Sequence, residues 1–184
     1  NAIVDWVQVQ LRSAASTAVA TQAALIQRDG DIVALDGTSA LEFAQAPANY
    51  FVNVLHRNHL GVMTSAAVAL STATNTIDFT VSGTATYGSD AQSTVGAYRA
   101  MWAGDASGDK ILKYSDTYND NDRAAILTQL GVTKVTARVK NGYFREDVNM
   151  DGKVKYSGIN NDRIIILKMI GGSATTTNTR TQTF

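Results

Sequence analysis

The chain has no cysteine among its 184 residues, which excludes a thiol nucleophile, a Cys-ligated zinc site and any disulfide framework. It has a single proline and no net charge, because 16 basic side chains balance 16 acidic ones. A neutral chain offers little long-range attraction to nucleic acid or anionic lipid, so neither is expected as the main partner. No run approaches the ~20 apolar residues that span a bilayer, so we expect no membrane span.

The hydrophobic fraction of the chain is 45%, enough for a folded core in a protein of this length. The charged fraction is low, at 17%, and Ala, Thr and Ser recur in long runs. This composition resembles that of secreted bacterial β-proteins. Residues 1–6 show neither an initiator methionine nor a signal-peptide pattern, so we expect the chain to start after a processing cut or inside a longer protein. We therefore expect a secreted or cell-surface protein.

The first eighty residues have the alternating pattern of short β-strands. Ile3, Val7, Val9 and Leu11 fall on one parity, and Asp5 interrupts them. An Asp-Gly turn between two apolar runs near residue 30 predicts a hairpin. About seven strands fit this region, which we expect to form a β-sandwich. Its core is expected to contain Phe43, Tyr50, Val52, Val54 and Ile77.

The second half of the chain has helical spacing instead. Val95, Tyr98 and Trp102 recur three and four residues apart and predict a connecting helix. Two further short helices are expected, at 122–130 and 162–170. Each begins with Asp-Arg, carries an aliphatic run and ends at a glycine, Gly131 or Gly171, which is the usual residue after a helix C-terminus.

An acidic loop occurs twice in this second half. Residues 105–115 and 147–157 share Asp, then Ser or Asn, then Asp at positions 1, 3 and 5, an aliphatic residue at position 8, and Lys-Tyr-Ser after it. Both copies continue to Asn-Asp-Arg and a predicted helix. A segment of about forty residues is therefore duplicated.

Oxygen ligands at positions 1, 3 and 5, with a backbone carbonyl at position 7, suit a cation of calcium's size. Position 6 needs a sharp turn; Gly152 supplies it in the second copy, whereas Lys110 makes the first copy the weaker match. The Asp of each Asn-Asp-Arg is expected to close the shell. The alternative is a pair of solvated Asp/Asn turns without metal. The expected calcium ligands are Asp105, Ser107, Asp109, Ile111 and Asp122 in the first loop, and Asp147, Asn149, Asp151, Lys153 and Asp162 in the second.

The segment 147–152, Asp-Val-Asn-Met-Asp-Gly, resembles the calcium loop of dockerins. The longer pattern, Asp-x-Asn-x-Asp-Gly followed by Lys-Tyr-Ser-Gly and Asn-Asp-Arg, resembles the C-terminal region of secreted bacterial surface proteins, often labelled haemagglutinin-like. Residues 58–64, Asn-His-Leu-Gly-Val-Met-Thr, are similar to the same group. The resemblance implies secretion and surface attachment and implies no particular activity.

The expected fold class is mainly β, with an N-terminal β-sandwich followed by a small α+β module that carries two duplicated EF-hand-like or dockerin-like calcium loops. The expected parts are a β-sandwich at 1–82, a connecting helix at 83–102, the calcium-loop module at 103–172 and an extended Thr-rich tail at 173–184.

Other chemistry has weaker support. His56 and His59 lie three residues apart, but a metal site there would need Glu42 or Asp78, and a hydrogen-bonded histidine turn is favoured. The His-Glu-x-x-His and Gly-x-Ser-x-Gly motifs are absent. Glycosidase chemistry needs two carboxylates flanking a cleft, and the aspartates cluster in the acidic loops. We expect no enzymatic activity.

The favoured function is that of an extracellular, calcium-stabilised structural protein that self-associates head to tail into polymers or filaments. The tail is β-prone and lacks an apolar face, so we expect it to add to a neighbour's sheet edge, with the opening strand 3–11 as the acceptor or as a second donor. A frayed tail or a severed linker is the alternative. The expected assembly residues are Thr175, Thr177, Thr179, Thr181, Thr183 and Phe184.

The alternative function is a glycan-binding or anchoring module of a larger secreted protein. Exposed aromatic rings could stack on sugars, although core packing explains some of them equally well. The aromatic residues considered for this role are Trp6, Tyr87, Tyr98, Trp102 and Tyr143.

Overall fold

The computed structural model describes residues 1–116, 120–173 and 177–184, and the chain there is mainly β. The strands are β1 (Ile3–Ala14), β2 (Thr17–Gln27), β3 (Ile32–Val33), β4 (Ala48–Leu55), β5 (Val62–Met63), β6 (Val68–Leu70), β7 (Ser93–Val95), β8 (Tyr98–Ala100), β9 (Ile111–Lys113), β10 (Val139–Asn141), β11 (Lys153–Lys155) and β12 (Thr179–Thr181). The helices are α1 (Asp122–Gln129) and α2 (Asp162–Met169). Neither helix has the length and apolar character to cross a membrane.

The chain divides into two compact units. The first comprises residues 1–56, 61–101 and 183–184, and the second comprises residues 57–60 and 102–182. Apart from the segment 57–60, the second unit begins at Trp102. The short segment 57–60 belongs to the second unit, although it lies within the β-rich half of the sequence.

The first unit is built on one antiparallel sheet with the strand order β3-β2-β1-β4-β5, and β6 also pairs with β4. The expected hairpin at the Asp-Gly turn is confirmed, because Leu25 and Ile26 pair with Val33 and Ile32. Gly30 turns the chain there with a φ of +97°, a conformation that glycine adopts without a steric cost.

The alternating residues of β1 form the core face of this sheet. Val7, Val9 and Leu11 are at most 5% exposed, and they pack with Val52 and Val54 of β4. Phe43, Tyr50 and Ile77 pack against this core, as the sequence predicts.

The expected β-sandwich is wrong, because the layer over the sheet is not a second large sheet. Leu41, Phe43, Ile77 and Phe79 supply apolar side chains from segments without strand pairing. Among the described residues of this unit, the only further sheet is the β7–β8 pair. The core side chains are therefore where the pattern places them, but the backbone that carries them is partly irregular.

Asp5, which interrupts the apolar alternation of β1, is paired with a buried histidine. His56 Nε2 lies 3.1 Å from Asp5 Oδ2, and both side chains are at most 5% exposed. Asp5 Oδ1 also accepts a hydrogen bond of 2.7 Å from the backbone N–H of Trp6. A buried carboxylate requires such compensation, so His56 has a structural role in the core.

The expected connecting helix at 83–102 is also wrong. Its centre forms the β7–β8 hairpin, which turns at Gly96 with a φ of +61°. Val95 and Tyr98 are 57% and 65% exposed, so their helical spacing does not mark a buried stripe. A left-handed glycine next to a β-branched valine favours a hairpin over a helix.

The second unit has the internal symmetry that the duplication predicts. Both expected helices are present, and each ends before a glycine in the left-handed region, Gly131 or Gly171. Equivalent residues of the two copies are buried together in one core. The equivalent buried pairs are Ala106 and Val148, Leu112 and Val154, Tyr114 and Tyr156, Ile126 and Ile166, and Leu130 and Ile170.

The two copies exchange their last strands. β10 follows the helix of the first copy and pairs with β11 of the second, whereas β12 follows the helix of the second copy and pairs with β9 of the first. Lys140 in β10 lies over the ring of Phe144, and Arg180 in β12 lies over the ring of Trp102. The duplicated segment therefore includes the tail strand.

The expectation that the tail has no partner in its own chain is wrong. Thr179 and Thr181 pair with Lys113 and Ile111, and the Arg180 guanidinium lies 3.7 Å from the centre of the Trp102 ring. The alternating threonines offer no apolar face, but the long side chain of Arg180 packs on the Trp102 ring and so attaches the strand to its own chain.

The remaining tail residues lie outside this ladder. Thr177 and Thr183 are exposed, whereas the Phe184 ring packs edge-on against Tyr87 within the first unit. Thr175 lies outside the described residues. The opening strand cannot accept a further strand over Gln8–Arg12, because β1 is already paired there with both β2 and β4.

The buried position of Val52 gives a direct test of the first unit's core. Val52→Asp should lower the free energy of unfolding by more than about 3 kcal/mol, because it places an unpaired charge in an apolar layer. Val95→Asp introduces the same charge at an exposed site and should change stability little. Thermal and urea unfolding of both variants measure the difference; equal stability of the two would refute the register of β4.

Candidate metal centre

The backbone of the two acidic loops has the same conformation. Position 4 is left-handed in both, with φ of +78° at Gly108 and +58° at Met150, and so is position 6, with +66° at Lys110 and +79° at Gly152. A left-handed residue with a side chain costs roughly 1 kcal/mol. The first loop therefore makes the same turn as the second despite the lysine at position 6.

The aspartate at position 1 closes each loop through backbone hydrogen bonds. Asp147 accepts from the N–H of Asp151 at 3.1 Å and from the N–H of Gly152 at 2.9 Å. Asp105 accepts from the N–H of Gly108 at 2.7 Å and from that of Lys110 at 3.2 Å. These bonds orient N–H groups of the loop inward around one carboxylate.

The Asp of each Asn-Asp-Arg ties the helix to its loop. Asp162 accepts from the N–H groups of Val148 and Asn149 through Oδ1 and from that of Lys155 through Oδ2, at 2.8, 3.2 and 2.7 Å. Asp122 accepts in the same way from Ser107 at 3.0 Å and from Lys113 at 2.7 Å.

These aspartates do not cap the helices. The preceding asparagines do, because the side chains of Asn121 and Asn161 accept hydrogen bonds from the N–H groups of Ala124 and Ile164. Asp122 and Asp162 occupy the first helical position instead. Each is therefore positioned by a capped helix and directed into its loop.

Each copy buries two carboxyl groups. Asp122 and Asp162 are 0% exposed, and Asp105 and Asp147 are at most 6% exposed. The pKa of Asp122 is raised to about 7 and that of Asp162 to about 6, mainly by burial and also by the charge of the position-1 aspartate, although the backbone N–H bonds lower both values. Burial likewise raises the pKa of Asp105 and of Asp147. Ionisation of these four groups is therefore less favourable than that of a free carboxyl group.

The side chains at positions 3 and 5 are more exposed. Asn149 Oδ1 accepts from the N–H of Asp151 at 2.9 Å, and Asp109 Oδ1 accepts from that of Ile111 at 2.8 Å. Ser107 Oγ lies 3.4 Å from Asp105 Oδ1. The position-7 residues, Ile111 and Lys153, begin β9 and β11, so each can offer a cation its backbone carbonyl.

The donor set fits a hard cation in its chemistry, since every side-chain ligand is an oxygen. The described residues do not bring three His, Cys, Asp or Glu side chains together around one point. The position-1 aspartate of each loop lies within electrostatic reach of both the helix aspartate and the position-5 aspartate, and the position-5 aspartate also contacts a lysine ammonium group. The candidate His56 site likewise has no such group of ligands among the described residues.

The rest of the repeated motif supports the loops. The guanidinium of Arg163 lies 4.7 Å from the centre of the Tyr156 ring, and that of Arg123 lies 5.0 Å from the centre of the Tyr114 ring. Both tyrosines are 3% exposed. The Tyr of Lys-Tyr-Ser and the Arg of Asn-Asp-Arg therefore recur because they stack on each other.

Asn58 links the starts of the two loops. Its Nδ2 donates to the carbonyl oxygens of Arg145 and Asp147, both at 2.8 Å, and its carbonyl accepts from the N–H groups of Gly104 and Asp105. Asn58 is 0% exposed. The spacing of acidic residues gives no sign of this role, and the only signal was the resemblance of residues 58–64 to the same group of proteins.

Comparison of the chain with family models, with curated proteins and with solved structures finds no match. The interpretation of the loops therefore depends on their own residues and geometry.

The raised pKa values predict how the metal-free protein responds to pH. Asp122 has a folded-state pKa of about 7 against 3.8 for the free side chain, so its contribution to stability is complete below about pH 4 and is lost as the pH rises through 7. The contribution of Asp162 is lost as the pH rises through about 6. In chelator, the melting temperature of the second unit should therefore fall between pH 5 and pH 8.

Calcium, if it binds these loops, should reverse this trend, because a dication would bind the ionised carboxylates and displace their protons. Thermal melts across the same pH range, with EDTA and with excess calcium, provide the comparison. A melting temperature that rises with pH in EDTA would contradict the assignment of these buried acids.

Proposed function

We propose that this chain is an extracellular structural protein that calcium stabilises at two EF-hand-like or dockerin-like loops and that self-associates through its C-terminal strand. The observation that carries the calcium proposal is the pair of buried carboxyl groups in each copy. In both copies the position-1 aspartate accepts from the N–H at position 6, and the helix aspartate accepts from the N–H groups at positions 3 and 9. Chance acidic turns do not repeat such a network.

Calcium suits these loops better than other cations. The available ligands are carboxylate, amide, hydroxyl and backbone carbonyl oxygens, with no sulfur and no imidazole, which disfavours zinc and copper. In the second loop Asp147, Asn149, Asp151 and Asp162 offer side-chain oxygens, and Lys153 offers its carbonyl. A bound dication would neutralise the buried charge in each copy.

The location of the loops makes calcium a folding ligand. The closing aspartates join each loop to its helix, and the apolar residues between them form the core of the second unit. A cation that binds only this arrangement stabilises it by mass action, by about 4 kcal/mol at a thousandfold excess over Kd. An extracellular location would expose the loops to calcium at the concentrations that extracellular calcium modules bind.

Self-association is supported by the strand exchange between the copies. β9 is a three-residue strand that takes its partner, β12, from the other copy of the repeat. The same β12 can satisfy the same edge of β9 in a second chain, because the backbone bonds involved are identical. Such an exchange is head-to-tail and extends into a polymer unless it closes into a ring.

Glycan binding is the second candidate, with one observation in its favour. A hollow of about 520 Å³ lies beside the second loop, and its lining includes Asn149, Asp151, Asn160, Asn161 and Lys168. Amide and carboxylate groups of this kind can bind sugar hydroxyls. Glycan binding by a chain that stays monomeric would favour this function over self-association.

Calcium removal tests the main proposal. EDTA should lower the melting temperature of the second unit at pH 7.5, and excess calcium should restore it. Asp147→Ala should lose about half of the calcium-dependent increase, since one of two loops is disabled. The matched control Asp31→Ala removes an exposed carboxylate of the first unit and should keep the whole increase. An equal melting temperature in EDTA and calcium would rule out the calcium assignment.

A disulfide lock tests the assembly mechanism. Ile111 and Thr181 are partners in the β9–β12 ladder, and the chain has no other cysteine. Ile111→Cys with Thr181→Cys should form an intrachain disulfide that holds β12 in place and suppresses polymers, and reduction should restore them. Light scattering and electron microscopy under both conditions give the readout. Polymers that form equally well in the oxidised variant would refute strand exchange.

A further inference from the structure

The two position-5 aspartates are each paired with a lysine of their own loop. In the second loop Lys155 Nζ lies 2.8 Å from Asp151 Oδ2, and in the first loop Lys113 Nζ lies 3.5 Å from Asp109 Oδ2. Both lysine side chains are about 15% exposed, whereas both aspartates are 33% exposed. The ammonium group is therefore the more buried member of each pair.

The backbone fixes these lysines at position 9 of each loop. The N–H of Lys155 donates to Asp162 Oδ2, and the N–H of Lys113 donates to Asp122 Oδ2, both at 2.7 Å. The same residue therefore contacts the closing aspartate with its backbone and the position-5 aspartate with its side chain. Each lysine spans the group of oxygens that the cation is expected to bind.

We propose that Lys113 and Lys155 act as internal cations that compete with calcium for the position-5 aspartate of each loop and so set its calcium affinity. This inference rests on the proposed calcium function. It also accounts for the orientation of Asp109 and Asp151, which contact ammonium groups although each lies within electrostatic reach of the position-1 aspartate.

The competition follows from charge and geometry. A carboxylate that an ammonium group holds must break this ion pair before it binds calcium, so the energy of the pair is subtracted from the binding energy. The same pair partly neutralises the acidic residues when calcium is absent and thereby stabilises the metal-free fold. Each lysine thus narrows the difference in stability between the calcium-free and calcium-bound states.

The lysine of the first loop lies near two carboxylates in addition to Asp109. Lys113 Nζ also lies 3.8 Å from Asp116 Oδ2 and 3.8 Å from Asp120 Oδ2. One ammonium group therefore faces three carboxylates at the first loop.

Lys155→Met tests the second loop, because it keeps the length and apolar stem of the side chain and removes only the charge. The calcium affinity of that loop should rise about two- to fivefold, the range expected for a partly exposed ion pair. The melting temperature in EDTA should fall at the same time. Lys113→Met should have the same two effects through the first loop.

Lys134→Met is the matched control, since Lys134 is exposed and lies outside both loops. It removes the same charge from the second unit and should alter neither calcium affinity nor the melt in EDTA. Lys155→Arg keeps the charge and should bind calcium like the parent protein. Isothermal titration calorimetry with calcium chloride and thermal melts in EDTA provide the two measurements.

The outcomes separate the two proposals. Calcium binding of equal affinity in the parent protein and in both methionine variants of the loops would overturn the role of the lysines and leave the calcium function intact. The same affinity increase in Lys134→Met would also overturn it, because the effect would then be one of net charge. Absence of calcium binding in all variants would overturn both proposals.

Discussion

The second unit depends on the burial of two carboxyl groups in each copy of the repeat. Asp122 and Asp162 are fully buried at the first position of a helix, and each holds backbone N–H groups from two parts of its loop. The N–H bonds satisfy lone pairs but bring no net charge, so an ionised pair of carboxylates remains costly in a buried site. Protons, lysine ammonium groups and a bound dication are three ways to offset this cost. Since all three would act on the same carboxyl groups, a dication bound there would compete with the protons and with the ammonium groups.

The two copies of the repeat fold together as one unit, which holds both acidic loops in place. Because β10 pairs with β11 and β12 pairs with β9, each copy completes the sheet of the other, and neither forms a finished unit by itself. The cation–π contacts repeat the exchange, since Lys140 and Arg180 each reach the aromatic residue that precedes a loop. The Thr-rich tail is thus the last strand of the second copy, and its composition reflects a short strand with an exposed face.

The sequence predicted the elements that local patterns determine and missed those that depend on distant contacts. Period-two spacing identified the core face of β1 and β4, and the Asn-Asp-Arg and glycine signals located both helices to within a residue.

The spacing of Val95, Tyr98 and Trp102 matched a helix, but the glycine between Val95 and Tyr98 turned the chain into a hairpin. The pair of Asp5 with His56 and the link through Asn58 join residues 51 and 89 positions apart, and no local pattern contains such information. The strand exchange was visible in principle, because β10 and β12 begin at the same distance after their helices.

Strand β9 takes part in both the proposed calcium site and the proposed self-association. It supplies position 7 of the first loop, whose carbonyl is a candidate calcium ligand, and position 9, whose lysine contacts Asp109. The opposite edge of the same three residues pairs with β12, and the N–H of Gln182 extends that ladder to the carbonyl of Lys110. If calcium binds the first loop as proposed, the residues that it orders need not be ordered again by a strand, so binding would lower the entropy lost when β12 is added. Calcium at the first loop and strand addition at β9 would then favour each other, whether the strand comes from the same chain or from another.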